Sequence, residues 1–386
     1  MKYLSYDAAV FMVGKNYNII FNTEEIGLAW VEIDGVRYYD ADNGNIKCYE
    51  YIHKIEIPME RLDFAKEYRI GFRRAFERKM YFSTTEDCEY TKEYKFYPIE
   101  KKEHYNFYMI ADTHSEHVHS AESGRYFGEE LDFLILNGDI ADGSADVEQV
   151  LTTHKIAAGV LKGKKPVIFV RGNHDTRGAM ACELSKYIPL QNGKTYYTFE
   201  AGNIFGICLD CGEDKPDAHE SYGHMADFTP FRREQIKFLE NIIKRGDYLK
   251  YDNVIVICHM RLTVEWNEAF KDIYNEWLEL LNVISPDIML CGHEHVFYVL
   301  ENGEASFDDV QKRTKYPIVV GSQCRGNDRT NHADEEPDFI GTAVTMSKND
   351  INIKFTDSRH NILEEHSLKK MKHIGILCNR CENNSI

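Results

Sequence analysis

The 386-residue sequence has no apolar run that reaches the roughly 20 residues of a membrane-spanning helix, so we expect no membrane span. The stretch from Met1 to Ile20 also lacks a basic segment followed by an apolar core, which predicts that there is no signal peptide. Ten cysteines without an export signal indicate reduced thiols. These absences together predict a cytoplasmic protein.

The sequence is short of positive charge. It has 46 lysine and arginine residues against 63 acidic ones, which gives a formal net charge of −17. An acidic surface repels nucleic-acid backbones, so nucleic acid is not expected as a partner. One basic stretch, residues 73–79, could be a binding patch, but we interpret it as a solvated strand face. Hydrophobic residues make up 43% of the chain, which is enough for a packed core.

Two Cys-x-x-Cys pairs leave two interpretations open. Together, Cys208/Cys211 and Cys378/Cys381 could hold a zinc ion through four thiolates. However, Cys208 lies in an apolar run, residues 204–209, where a small buried thiol is ordinary. We therefore favour buried thiols for the first pair, and the pattern assigns no function to either pair.

Residues 1 to about 100 show the pattern of short β-strands. Runs rich in Tyr, Phe, Ile and Val alternate with polar residues, and Asp34-Gly35 between two such runs is typical of a hairpin. Several short strands at this spacing predict a β-sandwich of immunoglobulin or fibronectin type over residues 1–102. This region contains no cluster of catalytic residue types.

From residue 105 onwards, apolar strand patterns alternate with helix patterns, which predicts a sheet layered by helices. The apolar periodicity predicts helices over about 145–161, around residues 231–242, and over 269–284. We expect residues 103–360 to form this second domain and residues 361–386 to be a polar C-terminal tail. The long polar segment 212–229 is either a lid or substrate wall or a disordered surface loop, and both remain open.

Polar side chains follow five of the apolar runs, at the point where each run ends. The five motifs are Asp112-Thr113-His114, Gly138-Asp139, Gly172-Asn173-His174-Asp175, His259 and Gly292-His293-Glu294-His295. Open α/β sheets place their ligands outside the carboxyl ends of strands, so we expect the five motifs to face one edge. Carboxylate, imidazole and amide ligands suit manganese, iron or zinc rather than calcium, which prefers oxygen alone. A single motif could be a helix cap or a turn, but five in this order are not explained that way.

These motifs, which span residues of about 105 to 300, resemble the calcineurin-like metallophosphoesterase superfamily. The resemblance implies an α/β fold, with a β-sandwich of two mixed sheets flanked by helices and two metal ions at one edge. Carried over by motif, one metal ion would bind Asp112, His114, Asp139 and His295, and the other Asp139, Asn173, His259 and His293, with Asp139 bridging them. The N-terminal β region is similar to the fibronectin-like domain of purple acid phosphatases. Those enzymes have a tyrosine iron ligand where this chain has Ile140, so no purple centre is expected.

The resemblance implies a metal-dependent hydrolase that acts on a phosphate mono- or diester of a small molecule. Two divalent manganese, iron or zinc ions would lower the pKa of a shared water, and the resulting hydroxide would attack phosphorus in line with the leaving oxygen. His174 resembles the family's general acid, and Asp142 matches the spacing of the residue that orients that histidine. Arg171 could meet phosphate or form a structural salt bridge.

Three other functions are weighed against this one. Protein phosphatases carry an arginine after the second aspartate, which the block from Gly138 to Gly143 lacks, and this argues against a Ser/Thr protein phosphatase. A nuclease of the same superfamily is disfavoured by the acidic charge and by the lack of a basic, aromatic-rich groove. A non-catalytic interaction scaffold would require lost ligands, and none of the expected ligands is missing. Whether the substrate is a monoester or a diester stays open.

Overall fold

The computed structural model of the protein describes residues 1–262, 270–301, 314–326 and 334–370. Within residues 1–100 the strands are β1 (Ala9–Val13), β2 (Asn16–Asn22), β3 (Gly27–Ile33), β4 (Val36–Tyr39), β5 (Ala41–Asp42), β6 (Asn45–Ile46), β7 (Ile52–Pro58), β8 (Glu67–Glu77), β9 (Thr84–Thr85) and β10 (Tyr90–Lys95). The later strands are β11 (His104–Ile110), β12 (Phe133–Asn137), β13 (Pro166–Val170), β14 (Tyr197–Ala201), β15 (Ile204–Leu209), β16 (Asn253–Cys258), β17 (Ile288–Cys291), β18 (Tyr298–Leu300), β19 (Ile318–Val320), β20 (Gln323–Arg325), β21 (Asp338–Ser347), β22 (Asp350–Thr356) and β23 (Ile362–Lys369). The helices are α1 (Met59–Ala65), α2 (Val118–Ser123), α3 (Val147–Leu161), α4 (Phe228–Arg245) and α5 (Lys271–Ile284).

Two mixed sheets form the centre of the molecule. The larger has ten strands in the order β23-β22-β21-β11-β12-β13-β1-β2-β7, with β20 paired to β21. The second has six strands in the order β14-β15-β16-β17-β19-β18. Side chains from both sheets, among them Phe107, Ile168 and Ile255, share one buried hydrophobic cluster. The predicted α/β sandwich of two sheets flanked by helices is therefore confirmed.

The central strands are apolar along their whole length because both of their faces are covered. On β11, Phe107 and Met109 belong to the cluster between the two sheets, while Tyr108 and Ile110 pack in the cluster on the opposite face. The second of these clusters also contains Ile156 and Ala157 of α3, so this helix covers the outer face of the larger sheet. Every residue of β13 is buried, as its uninterrupted apolar run predicts.

The helices begin and end close to their predicted positions. The carboxylate of Asp146 accepts a hydrogen bond from the Gln149 amide and caps α3, which runs over Val147–Leu161. Helices α4 and α5 pack on the second sheet through a cluster that contains Leu239 and Trp277. The predicted start of the last helix at Ala269 lies outside the described residues. Within the described residues, every helix is too short or too polar to span a bilayer.

The N-terminal strands are divided among three sheets, of which β5 and β6 form the smallest, with two strands. Strands β3, β4, β8, β9 and β10 form a separate five-stranded all-β sheet, which confirms that an all-β unit precedes the α/β core. In contrast, β1 pairs in parallel with β13, with Val10 opposite Pro166 and Phe11 opposite Val167. Strands β1, β2 and β7 therefore extend the larger sheet, and the boundary predicted at residue 102 does not separate one sheet from another.

The C-terminal prediction needs a correction. Residues 361–386 were expected to be a tail, but residues 362–369 form β23, which pairs with β22. This strand lies at the edge of the sheet and most of its residues are exposed, so its sequence is as charged as that of a surface tail. Lys370 then forms an ion pair with the buried Asp287, at 3.1 Å. The prediction for residues 371–386, and with it the pair Cys378/Cys381, lies outside the described residues.

Candidate metal centre

The five polar motifs lie together at the carboxyl ends of strands from both sheets. Strands β11, β12 and β13 are parallel neighbours in the larger sheet, and β16 and β17 are parallel neighbours in the second. Two contacts join the sheets there: His259 Nδ1 lies 2.6 Å from the carbonyl oxygen of Asn137, and the His293 amide donates to Asp112 Oδ2 at 2.8 Å. The predicted convergence of the motifs is therefore present in the fold.

Five of the predicted ligands have a left-handed backbone. The φ angles are 55° at Asp112, 45° at His114, 52° at Asp139, 73° at His293 and 53° at His295. For a residue with a Cβ this conformation costs roughly 1–2 kcal/mol. Strained backbone of this kind concentrates at functional sites, where the surrounding structure holds it. It turns each side chain sharply out of the strand direction, a feature that the apolar patterns do not reveal.

Among the described residues, ligand atoms converge in three groups: two correspond to the two predicted sets, and a third joins His114, Asp142 and His174. Asp112, His114 and His295 offer atoms that lie within 4.8 Å of one another. Asp139, His259 and His293 form the second such group. Asn173 belongs beside the second group, because its Oδ1 lies 3.0 Å from His293 Nδ1. All seven predicted ligands are thus brought into one site, with their roles still a prediction.

The donor set fits divalent cations. His259 Nδ1 lies against a carbonyl oxygen and must carry its hydrogen there, which leaves the buried Nε2 facing Asp139 Oδ2 at 3.2 Å and Asp112 Oδ1 at 3.7 Å. Among the described residues, this Nε2 makes no hydrogen bond. The Nε2 atoms of His114 and His295 likewise face each other at 3.1 Å. Lone pairs that converge in a buried site require protons or metal ions between them.

Burial and the attraction between Asp139 and His259 displace the pKa values of the ligands. Burial raises the pKa of Asp112 to about 8, and it lowers the pKa of His114 to about 3 and that of His293 to about 4. Burial alone would raise the pKa of Asp139 and lower that of His259. Their mutual attraction outweighs this effect, so the pKa of Asp139 lies well below and that of His259 well above its usual value. Without metal, these shifts favour the protonated forms of Asp112 and His259.

The predicted proton donor His174 lies next to the first group of ligands, with its ring centroid 4.7 Å from that of His114. Its Nδ1 lies 2.9 Å from the backbone carbonyl oxygen of Asp142. The carboxylate of Asp142, which was expected to orient His174, lies 3.3 Å from His114 Nδ1 and within 4.8 Å of a ring nitrogen of His174. Asp142 thus contacts His174 as predicted by its spacing, but through the main chain.

Sequence reasoning missed the part played by Asp175. Its buried Oδ2 accepts hydrogen bonds from the amides of Asp139, at 3.0 Å, and Gly172, at 2.8 Å. Burial and the neighbouring Asp139 raise its pKa to about 7. An aspartate that follows a glycine turn commonly bonds nearby backbone amides, and that signal could have identified Asp175.

Arg171 was expected either to meet phosphate or to form a structural salt bridge. The structure has the salt bridge, in which Arg171 Nε bonds the buried Asp210 at 2.8 Å.

Gly172 should be intolerant of any side chain. A Cβ at this position would lie 2.2 Å from Asp139 Oδ1 and 2.4 Å from the Asp139 amide nitrogen. We expect Gly172→Ala to lower the free energy of unfolding by about 1–3 kcal/mol, as in other overpacked sites, and to weaken metal binding. Urea unfolding and metal titration measure both effects.

Gly143→Ala is the matched control for that substitution. Gly143 lies in the neighbouring loop, and a Cβ there would meet nothing closer than 3.8 Å. Its stability and metal affinity should match those of the unmodified protein. Equal losses in the two variants would show that the site does not depend on the close approach of Gly172 to Asp139.

Comparisons with known proteins agree with this geometry. The family model for calcineurin-like phosphoesterases matches residues 105–297. The solved structure of the purple acid phosphatase PPD1 from yellow lupin (Lupinus luteus) seeds is similar over 94% of this chain and 74% of its own, with a TM-score of 0.61 and 12% identity. A structure of PhoD is similar over 94% of this chain and 90% of its own, with a TM-score of 0.56 and 12% identity. No curated protein sequence matches the chain. At such low identity, the two solved structures are evidence for the fold alone.

Proposed function

The chain belongs to the calcineurin-like phosphoesterase family, and from this premise we propose that it hydrolyses a phosphoester of a small molecule with two divalent transition-metal ions. The observation that carries the proposal is the position of Asp139. Its carboxylate belongs to the group with His259 and His293, while its Oδ1 accepts a bond from the His174 amide at 2.8 Å. One carboxylate is thereby in contact with both the second ligand group and the proton donor.

We assign the metal ligands from the two groups of converging atoms that contain Asp112 and Asp139. Asp112, His114 and His295 would hold one ion, Asn173, His259 and His293 would hold the other, and Asp139 would bridge them. Manganese, iron and zinc all suit a mixture of imidazole, carboxylate and amide oxygen. Two such cations activate a water and neutralise the charge on phosphoryl oxygens. Because burial keeps His114 and His293 neutral, these imidazoles offer lone pairs at neutral pH.

In this proposal the protein supplies the positions of the ligands and the proton for the leaving group. His174 gives a proton to the oxygen that leaves phosphorus, a step that typically contributes about 10²–10⁴-fold in rate. The amide of His174 bonds Asp139 and its ring bonds the carbonyl of Asp142, so the ring and the bridging carboxylate are fixed relative to each other. Asp175 in turn fixes Asp139 by accepting from its amide.

The proposal is tested by measuring hydrolysis of 4-nitrophenyl phosphate and of bis(4-nitrophenyl) phosphate with added Mn²⁺. Hydrolysis of at least one ester is expected, it should cease on chelation, and the ratio of the two rates identifies monoester or diester preference. The metal content of the purified protein should be about two transition-metal ions per chain. A well-folded preparation that takes up neither manganese nor zinc and hydrolyses neither ester would overturn the proposal.

Metal uptake should release protons from the site. At pH 6.5 the metal-free protein holds a proton on Asp112, whose pKa is about 8, and one on His259, whose pKa is raised well above its usual value by Asp139. Zn²⁺ binding should displace about two protons per chain, because metal ligands bind in their deprotonated forms. Above pH 8 the release should fall by about one, since Asp112 has already ionised. Titration calorimetry in two buffers of different ionisation enthalpy measures the number.

The Asp112→Asn variant provides the internal check. Asparagine has no proton to lose there, so release at pH 6.5 should fall by about one per chain if zinc still binds. A proton count that does not change between pH 6.5 and 8.5 would contradict the assignment of a protonated Asp112.

A further inference from the structure

His174 is hydrogen-bonded at both ring nitrogens, and the two partners identify its tautomer. Nδ1 lies 2.9 Å from the carbonyl oxygen of Asp142, which can only accept. Nε2 lies 3.0 Å from Nη1 of Arg177, which can only donate. These partners match a ring with its hydrogen on Nδ1 and with the Nε2 lone pair accepting from the guanidinium.

Arg177 is itself held by two carboxylates. Its Nε and Nη2 bond the two oxygens of Glu213 at 2.9 and 2.8 Å, and Nη2 also bonds Asp214 Oδ1 at 3.0 Å. A bidentate bond of this kind fixes the plane of the guanidinium as well as its position. Burial alone would lower the pKa of Arg177, but its bonds to Glu213 raise that pKa above the usual value, so Arg177 remains a donor.

The two carboxylates belong to the long polar segment between strand β15 of the second sheet and helix α4. The Tyr222 hydroxyl lies 2.9 Å from Glu213 Oε2 and 2.9 Å from Asp214 Oδ1. The Thr176 hydroxyl bonds Glu213 Oε1 at 3.1 Å, and Glu213 is only 2% exposed. The buried guanidinium of Arg232 bonds the carbonyl oxygens of Cys211 and Glu213. We name residues 213–222 the clamp segment, because these bonds tie it to Arg177.

We propose that Arg177 is a positioning residue for His174, and that the clamp segment sets its position. This inference rests on the proposed function, in which His174 is the proton donor. Arg177 holds the ring of His174 in one orientation beside His114, whose ring centroid lies 4.7 Å away. For the transfer, the ring takes up a proton from solvent at Nε2, the leaving oxygen replaces Arg177 there and receives that proton, and the bond from Nδ1 to the Asp142 carbonyl keeps the ring in the orientation that Arg177 set. The ring orientation, and with it the rate for poor leaving groups, therefore depends on Glu213, Asp214 and Tyr222.

The tautomer can be measured without any turnover. In zinc-loaded protein labelled with ¹⁵N-histidine, His174 should show a hydrogen on Nδ1 and none on Nε2. Arg177→Met removes the donor at Nε2, so the ¹⁵N shift of Nε2 should move towards that of an unbonded lone pair, while Nδ1 keeps its hydrogen on the Asp142 carbonyl. Arg177→Lys should not restore the original state, because an ammonium cannot bond His174 and both carboxylates as the planar guanidinium does. An unchanged His174 spectrum in Arg177→Met would overturn the proposal, whether or not the protein hydrolyses any ester.

Kinetics then separate positioning from substrate contact. Arg177→Met should lower kcat for phenyl phosphate by about 10–100-fold, as loss of a group that orients a functional histidine does, with KM within about twofold. The loss for 4-nitrophenyl phosphate should be much smaller, because its leaving group needs little help from a proton. Tyr222→Phe should produce a smaller loss with the same dependence on the leaving group, and it provides the test if Arg177→Met fails to fold.

Two further variants decide the interpretation. In the His174→Ala background, adding Arg177→Met should cause no further loss, because the residue that Arg177 positions is already gone. An additive loss, or a raised KM with unchanged kcat, would show that Arg177 acts on the substrate directly and would overturn the proposal. Arg245→Met, at an exposed arginine that pairs with Asp247, is the matched control and should behave like the unmodified protein. If neither ester is hydrolysed by the unmodified protein, the proposed function fails while the tautomer measurement still decides the role of Arg177.

Discussion

Asp139→Asn should remove both metal ions at once and abolish hydrolysis. The substitution retains the shape of the side chain and an oxygen that can accept from the His174 amide, but it removes the charge that His259 Nε2 faces at 3.2 Å. If one carboxylate serves two ions, its loss weakens both sites together. If the metal ions stabilise the transition state by about 4 kcal/mol, losing them lowers kcat/KM by about 10³-fold. Metal analysis and kinetics on the same preparation measure both effects.

Asp146→Asn is the control for that change. Asp146 caps α3 through its contact with the Gln149 amide, and asparagine is an equally good cap. Its metal content and activity should therefore be those of the unmodified protein. If Asp139→Asn loses only one ion and retains the other at full occupancy, the bridging role is misassigned.

His174→Ala should produce the second large effect, and its size should depend on the leaving group. Removing a general acid typically costs about 10²–10⁴-fold. We expect a loss of that order for phenyl phosphate, whose phenoxide needs a proton, and a much smaller loss for 4-nitrophenyl phosphate. The metal content should be retained, because the ring of His174 contacts Asp142 and Arg177 and is absent from the two groups of ligands assigned to the ions. Rates for a series of aryl esters measure the dependence.

His104→Ala controls for the loss of a histidine elsewhere. His104 is exposed at the start of β11, at the opposite end of that strand from Asp112, and its removal should change neither rate nor metal content. Equal losses for good and poor leaving groups in His174→Ala would remove His174 from the acid role and leave it a structural part of the site.

The prediction of the site succeeded where the information is local. An apolar run buried on both faces predicts a strand, and polar residues directly after it predict a position at the sheet edge. This is why Asp112, Asp139 and His259 could be placed together before any contact between them was known. The helix over 147–161 could be predicted for the same reason, because its cap and its apolar face lie within one segment of the sequence.

The prediction was wrong or incomplete where partners come from distant parts of the chain. Residues 362–369 were predicted to belong to a polar tail, because an edge strand with few buried side chains lacks the apolar pattern of a central strand. The pairing of β1 with β13 joins residues about 150 apart in sequence, as in the register of Val10 with Pro166, and no local pattern encodes it.

By itself, the sequence determined the type of ligand, the strand that presents it and the order of the five motifs, because each of these follows from neighbours along the chain. Only the tertiary structure decided what holds the ligands and the proton donor. Asp175 bonds the Asp139 amide 36 residues away, and Glu213 bonds Arg177 across the same separation. The physical reason is that a hydrogen bond depends on distance and angle between atoms, which the packing of the two sheets sets and which residue order does not specify.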